Sequence, residues 1–155
     1  MNGRTRFTEA DFDSLSLHDN ALHGLGFGQG SQLWDCSILL DIDFITEWIL
    51  HDGKYSFRIA PATLAFDGVG DYRIQMEDRS VRPVYPEIKE IRRDAEKNSY
   101  TIVFHGVGES HGGGEIQIVA TAVTMYLRIA PISTDEQCLT DEERGGVSFA
   151  RTSYA

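Results

Sequence analysis

Between Phe7 and Gly53 the chain has no lysine and no arginine. The same stretch carries nine acids (Glu9, Asp11, Asp13, Asp19, Asp35, Asp41, Asp43, Glu47 and Asp52), so nearly all of the formal net charge of -10 originates in the first third. A field of one sign steers basic partners and repels anionic membranes and nucleic acid. Nucleic-acid binding also needs Lys and Arg to neutralise phosphates. The one basic cluster, Arg79 to Lys97, is interleaved with Glu87, Glu90, Asp94 and Glu96.

Long apolar runs are missing as well. None approaches the ~20 residues of a membrane span, and no apolar segment follows Met1–Arg6 to make a secretory signal. Cysteine is scarce: Cys36 falls in an apolar strand pattern and Cys138 in a polar stretch. They form no CxxC pair, and two unbridged thiols are expected. These absences point to a cytoplasmic protein. At 155 residues, 41% hydrophobic and 25% charged, the chain suits one domain with an ordinary core.

What is present is alternation. In residues 33–45, Trp34, Cys36, Ile38, Leu40, Ile42 and Phe44 share one parity, and Asp35, Ser37, Asp41 and Asp43 the other, with Leu39 and Ile45 as exceptions on the polar side. Period two marks a half-buried antiparallel strand. Leu15 to Phe27 is strand-like and ends in Gly28-Gln29-Gly30-Ser31, which predicts a hairpin. His51-Asp52-Gly53-Lys54 marks a turn into Tyr55–Ile59. Pro61 should confine that strand to an end, an edge or a bulge. Thr63–Phe66 and Asp71–Met76 read as short strands. Tyr100–His105 and Glu115–Arg128 form a second hairpin around the loop Gly106–Gly114, with a parity change that predicts a bulge near Val119–Ala122 or a stretch buried on both faces. Residues 87–93 fit a strand or one helical turn equally.

The expected architecture is mainly β: an antiparallel sheet of seven to nine strands curled into an open barrel or sandwich, with little helix. Residues 1–132 make a single β-rich domain. Residues 133–155 form a polar, flexible tail with one short helix around Thr140–Arg144.

Catalytic signals are thin. His18-Asp19 and His51-Asp52 are adjacent pairs, whose side chains diverge on a strand, and no GxSxG elbow accompanies them. His18, Asp19, His105 and His111, with His23 and Glu109, could ligate Zn or Mn, yet no HExxH or HxH holds them on a rigid element. No metal or other cofactor is expected. The glycines of 106–114 lack the Lys-Ser/Thr and helix of a phosphate loop. The acidic strand face remains. Asp35, Asp41, Asp43 and Glu47 point the same way if 33–47 stays extended, forming a surface for a basic partner or guarding an exposed edge by charge.

Leu15-Ser16-Leu17-His18-Asp19-Asn20-Ala21, then the long amphipathic strand, then Leu64-Ala65-Phe66-Asp67-Gly68-Val69, resembles the "LHD…FxGV" pattern of immunity protein family 50 of polymorphic toxin systems. The resemblance covers about residues 12–128. Leu17 replaces a frequent tryptophan, and the stretch after Ser133 has no counterpart. It implies a non-catalytic protein that binds and neutralises a toxin, with Asp35, Asp41, Asp43 and Glu47 as contacts. Two other readings stand beside it. One is a small-ligand or metal-dependent enzyme with its site inside the curled sheet. The other is a structural domain that pairs with itself as a homodimer.

Overall fold

A computed structural model describes residues 3–29, 35–77, 85–105 and 113–154. The strands in chain order are β1 (Arg6–Thr8), β2 (Leu22–Gln29), β3 (Cys36–His51), β4 (Lys54–Asp67), β5 (Asp71–Glu77), β6 (Glu87–Asp94), β7 (Ser99–His105), β8 (Gly113–Val119), β9 (Ala122–Leu127) and β10 (Ile132–Thr134). One short helix, α1 (Asp141–Arg144), follows. All pairings are antiparallel. The larger sheet runs β1-β9-β4-β3-β2 with β10 also on β4, and the smaller runs β5-β8-β7-β6.

The inner faces of the two sheets share one core. Ile38, Leu40, Ile42, Phe44, Leu64 and Phe66 from the larger sheet meet Ile88, Ile102, Phe104, Ile116 and Ile118 from the smaller. This is the mainly β, open architecture expected from the alternation, built from ten strands among the described residues. A second, smaller cluster (Ile45, Phe57, Ile59 and Leu139) lies apart from it.

Local chemistry explains the layout. The β3–β4 hairpin turns at Asp52 (φ 49°) and Gly53 (φ 74°). Two successive positive-φ positions are what favour Asp-Gly in a tight hairpin. Pro61 lies inside β4 instead of at an end. The β9 ladder stops at Leu127↔Ala62 and the β10 ladder resumes at Ile132↔Ile59. Pro61 occupies the gap, where its missing N–H is not needed, and its carbonyl accepts from the Arg128 N–H.

The parity change after Val119 is not a bulge within one strand. The chain leaves the smaller sheet at Val119, passes Ala120 and Thr121, and enters the larger one at Ala122. Residues 87–94 are strand, and a register shift between Ile88 and Glu90 accounts for the off-parity Ile91.

The segment after Ser133 is not a loose tail. Leu139 and Arg144 are buried, and Tyr154 N–H donates to the Leu127 carbonyl. Thr140 and Glu143 cap α1 reciprocally, and Gly145 ends it at φ 76°, the left-handed stop that glycine adopts without strain. Val147 and Phe149 lie over Gly24 and Gly26 of β2, so the segment forms a strap across the outer face of the larger sheet. Polar composition suggests solvation, but a few apolar residues and two arginines, Arg144 on Asp41 and Arg151 on Asp67, anchor the segment.

Candidate functional site

Period two places Asp41 and Asp43 on one face of β3, as read from the sequence. That face does not meet water. Both residues are 0% exposed, beneath the strap. Arg144 grips Asp41 in two places, Nη2 to Oδ1 at 2.7 Å and Nη1 to Oδ2 at 2.8 Å, and its Nε reaches Asp43 Oδ1 at 3.2 Å. Arg128 Nη2 donates to Asp41 Oδ1 at 2.7 Å, and the Ser148 N–H to Oδ2 at 2.9 Å. Asp43 Oδ2 accepts from the Leu139 N–H and faces His23 Nε2, both at 2.8 Å.

Buried carboxylates persist only when paired and hydrogen-bonded. For Asp41, burial pushes the pKa up. Hydrogen bonds from Arg144, Arg128 and the Ser148 N–H outweigh it and hold the carboxyl below its ordinary range. These acids are therefore structural, and the expected contact face is corrected. Its other members are dispersed. Asp35 precedes β3 and is half-buried. Glu47 is exposed, but a register shift between Ile45 and Glu47 pairs it with Arg58. The extra residue turns it to the opposite face from Asp43.

The unabsorbed polar groups collect elsewhere. Residues 19–22 bridge the two sheets: Asp19 N–H donates to the Ile88 carbonyl, Ile88 N–H to Asn20, and Asp43 N–H to Ala21. Ala21 pairs with Glu87. Asp19 takes a left-handed conformation (φ 63°), which Asp tolerates better than most residues. This brings Asp19 beside the start of β6 and the end of β7. His105 Nε2 lies 3.7 Å from Asp19 Oδ1 and 3.9 Å from Glu87 Oε2, and His18 Nδ1 lies 2.9 Å from Asp19 Oδ2.

Of the four metal candidates, Asp19 and His105 are thus brought together, and His18 holds Asp19. His111, with Glu109, the glycine-rich loop and Trp34, lies outside the described residues. His23 is elsewhere, fully buried on Asp43. Glu87 is not among the candidates read from the sequence. Nothing there marks it, because its neighbours Asp19 and His105 are distant along the chain. Glu87 is only 8% exposed. Burial drives its pKa up, His105 opposes the rise, and the Asp19 charge adds to it.

Glu87 also lines a cavity of about 490 Å³. Tyr55, Phe57 and Tyr85 form its aromatic walls, and Asp135 and Glu136 stand in its lining with Cys138. Trp48 extends the aromatic surface, its ring 6.0 Å from Tyr55 and 5.0 Å from Phe57. Both cysteines are free, as expected from their spacing.

No protein-family model, curated protein or solved structure matches the chain. No helix among the described residues is long and apolar enough to cross a membrane.

Proposed function

We propose that the chain is a cytoplasmic, immunity-like binding module that neutralises a basic protein partner, and that the partner inserts a lysine or arginine side chain into the Tyr55–Tyr85–Glu87 cavity. One observation carries this reading: aromatic rings and three carboxylates, Glu87, Asp135 and Glu136, line the same cavity. Aromatic faces attract cations, most strongly when water is excluded. A buried carboxylate such as Glu87, with no arginine on it among the described residues, gains from a cation more than an exposed one does. The overall charge of -10 accelerates the approach of such a partner.

The contact surface is therefore Glu87, Asp135 and Glu136 in place of Asp41 and Asp43, which are occupied within the fold. Calorimetric titration of the full chain with an oligo-arginine peptide tests this, with oligo-glutamate as control. Binding that weakens with salt and falls at least tenfold in the Asp135→Asn/Glu136→Gln variant is expected. Equal binding to the wild type and the variant would overturn the assignment.

A further inference from the structure

We propose that Asp19, Glu87 and His105 together bind a divalent first-row metal ion, with Zn2+ as the ion of best fit. One ligand atom from each lies within 4.8 Å of the other two. Two donors that share a metal at ~2.1 Å can stand no more than ~4.2 Å apart. The two histidine separations, 3.7 and 3.9 Å, already fall inside that reach. A small carboxylate rotation closes whatever remains between Asp19 and Glu87.

The donor set has the right chemistry. Two carboxylates and an imidazole suit zinc and its neighbours better than the all-oxygen sites of Ca2+ and Mg2+. Three protein donors leave a position for water or a ligand atom.

Two further observations point to a cation here. Glu87 is 8% exposed, and no hydrogen bond reaches its carboxylate among the described residues, in contrast to Asp41 and Asp43, whose oxygens are all engaged. Asp19 is divided between two tasks. Its Oδ2 is held by His18 Nδ1, while Oδ1 is turned toward His105. A ligating carboxylate oriented by a neighbouring donor is the usual outer-shell arrangement of a metal site. His18 is thus a positioning residue, and Asp19, Glu87 and His105 are the ligands.

The site shares Glu87 with the aromatic cavity but does not depend on the partner reading, since metal binding is read without any peptide. The test is calorimetric titration of the chelator-stripped full chain with ZnCl2, repeated with CoCl2 while following the cobalt d–d absorption. We expect one ion per chain, with affinity reduced at least tenfold in Glu87→Gln and in His105→Ala, and reduced less in His18→Ala. His51→Ala, a change at an exposed histidine outside the cluster, should bind as the wild type does. Circular dichroism of each variant confirms that the fold is retained. Absence of stoichiometric binding, or binding retained in both ligand variants, would overturn the proposal. A cobalt spectrum unchanged by His105→Ala would do so too, because it would place the ion elsewhere.

Discussion

Arg144 closes over Asp41 in a two-point grip at 2.7 and 2.8 Å, spanning 103 residues of chain, with both side chains fully withdrawn from water. A third contact extends the grip to Asp43. The strap is therefore fastened by charge as well as by packing, and removing the arginine would leave two carboxylates with only Arg128, His23 and backbone N–H groups.

Arg144→Met retains an unbranched, flexible apolar stem and deletes the guanidinium charge. Breaking one partner out of a buried ion pair typically costs ~3–5 kcal/mol. We expect a loss of that order in urea unfolding at neutral pH. A loss under ~1 kcal/mol, the range of exposed pairs, would show that the strap holds without the arginine.

Acid should act through the same cluster. Asp41 has its carboxyl held below the ordinary aspartate value. A group with a depressed folded-state pKa contributes stability above its unfolded pKa, and that contribution is lost as pH falls through the folded one. The wild type should therefore lose stability more steeply than Asp41→Asn on acidification below about pH 5. Denaturant unfolding of both proteins across that range measures it; parallel curves would contradict the assignment.

Gly114 on β8 faces the backbone of β5. An added Cβ would fall 2.7 Å from Met76 Cα and closer still to the Gln75 carbonyl oxygen. Neither is a flexible side-chain end, so the edge strand must shift. Gly114→Ala should cost ~1–3 kcal/mol and reduce hydrogen-exchange protection along β5. Gly70→Ala, which meets nothing within 4 Å, serves as the control and should change stability little.

Cys138 reports on the cavity it lines. Burial raises the thiol pKa, and the carboxylates of Asp43, Glu87 and Glu136 raise it further. Thiolate is the reactive form, so alkylation by iodoacetamide should lag an unperturbed thiol from neutral pH upward, the gap closing only once pH exceeds the raised pKa of Cys138 itself. Peptide mass spectrometry resolves it from Cys36. An oligo-arginine peptide seated in the cavity should slow the reaction further, and reaction at the unperturbed rate at neutral pH would refute the burial argument.

How much of this is legible in the sequence depends on what a pattern encodes. The parity of Ile38, Leu40, Ile42 and Phe44 predicts their core positions, and Asp-Gly predicts the β3–β4 turn. Parity also puts Asp41 and Asp43 on a common face, but alternation records only that polar residues avoid the apolar core. A face in water and a face under an arginine strap produce nearly the same string, and here only Leu39 and Ile45, apolar at the parity of the two acids, mark the cover. The bulge that reverses Glu47 sits at an unremarkable threonine, Thr46. The change of sheet between Val119 and Ala122 resembles a bulge because both alter parity by one. Glu87 is hidden for a different reason: its site is assembled by the bridging segment 19–22 and the β6–β7 edge, contacts with no local signature.

The order in which the chain is synthesised bears on the buried acids. Asp41 emerges 103 residues before Arg144. Until that arginine arrives, the outer face of β3 presents two carboxylates that must stay hydrated. The β3–β4 hairpin, whose contacts are local, is free to form early. The dry outer layer is not, because sealing it beforehand would strand uncompensated charge. The outer layer can therefore close only after the segment that carries Arg144 and the Ser148 N–H has been made.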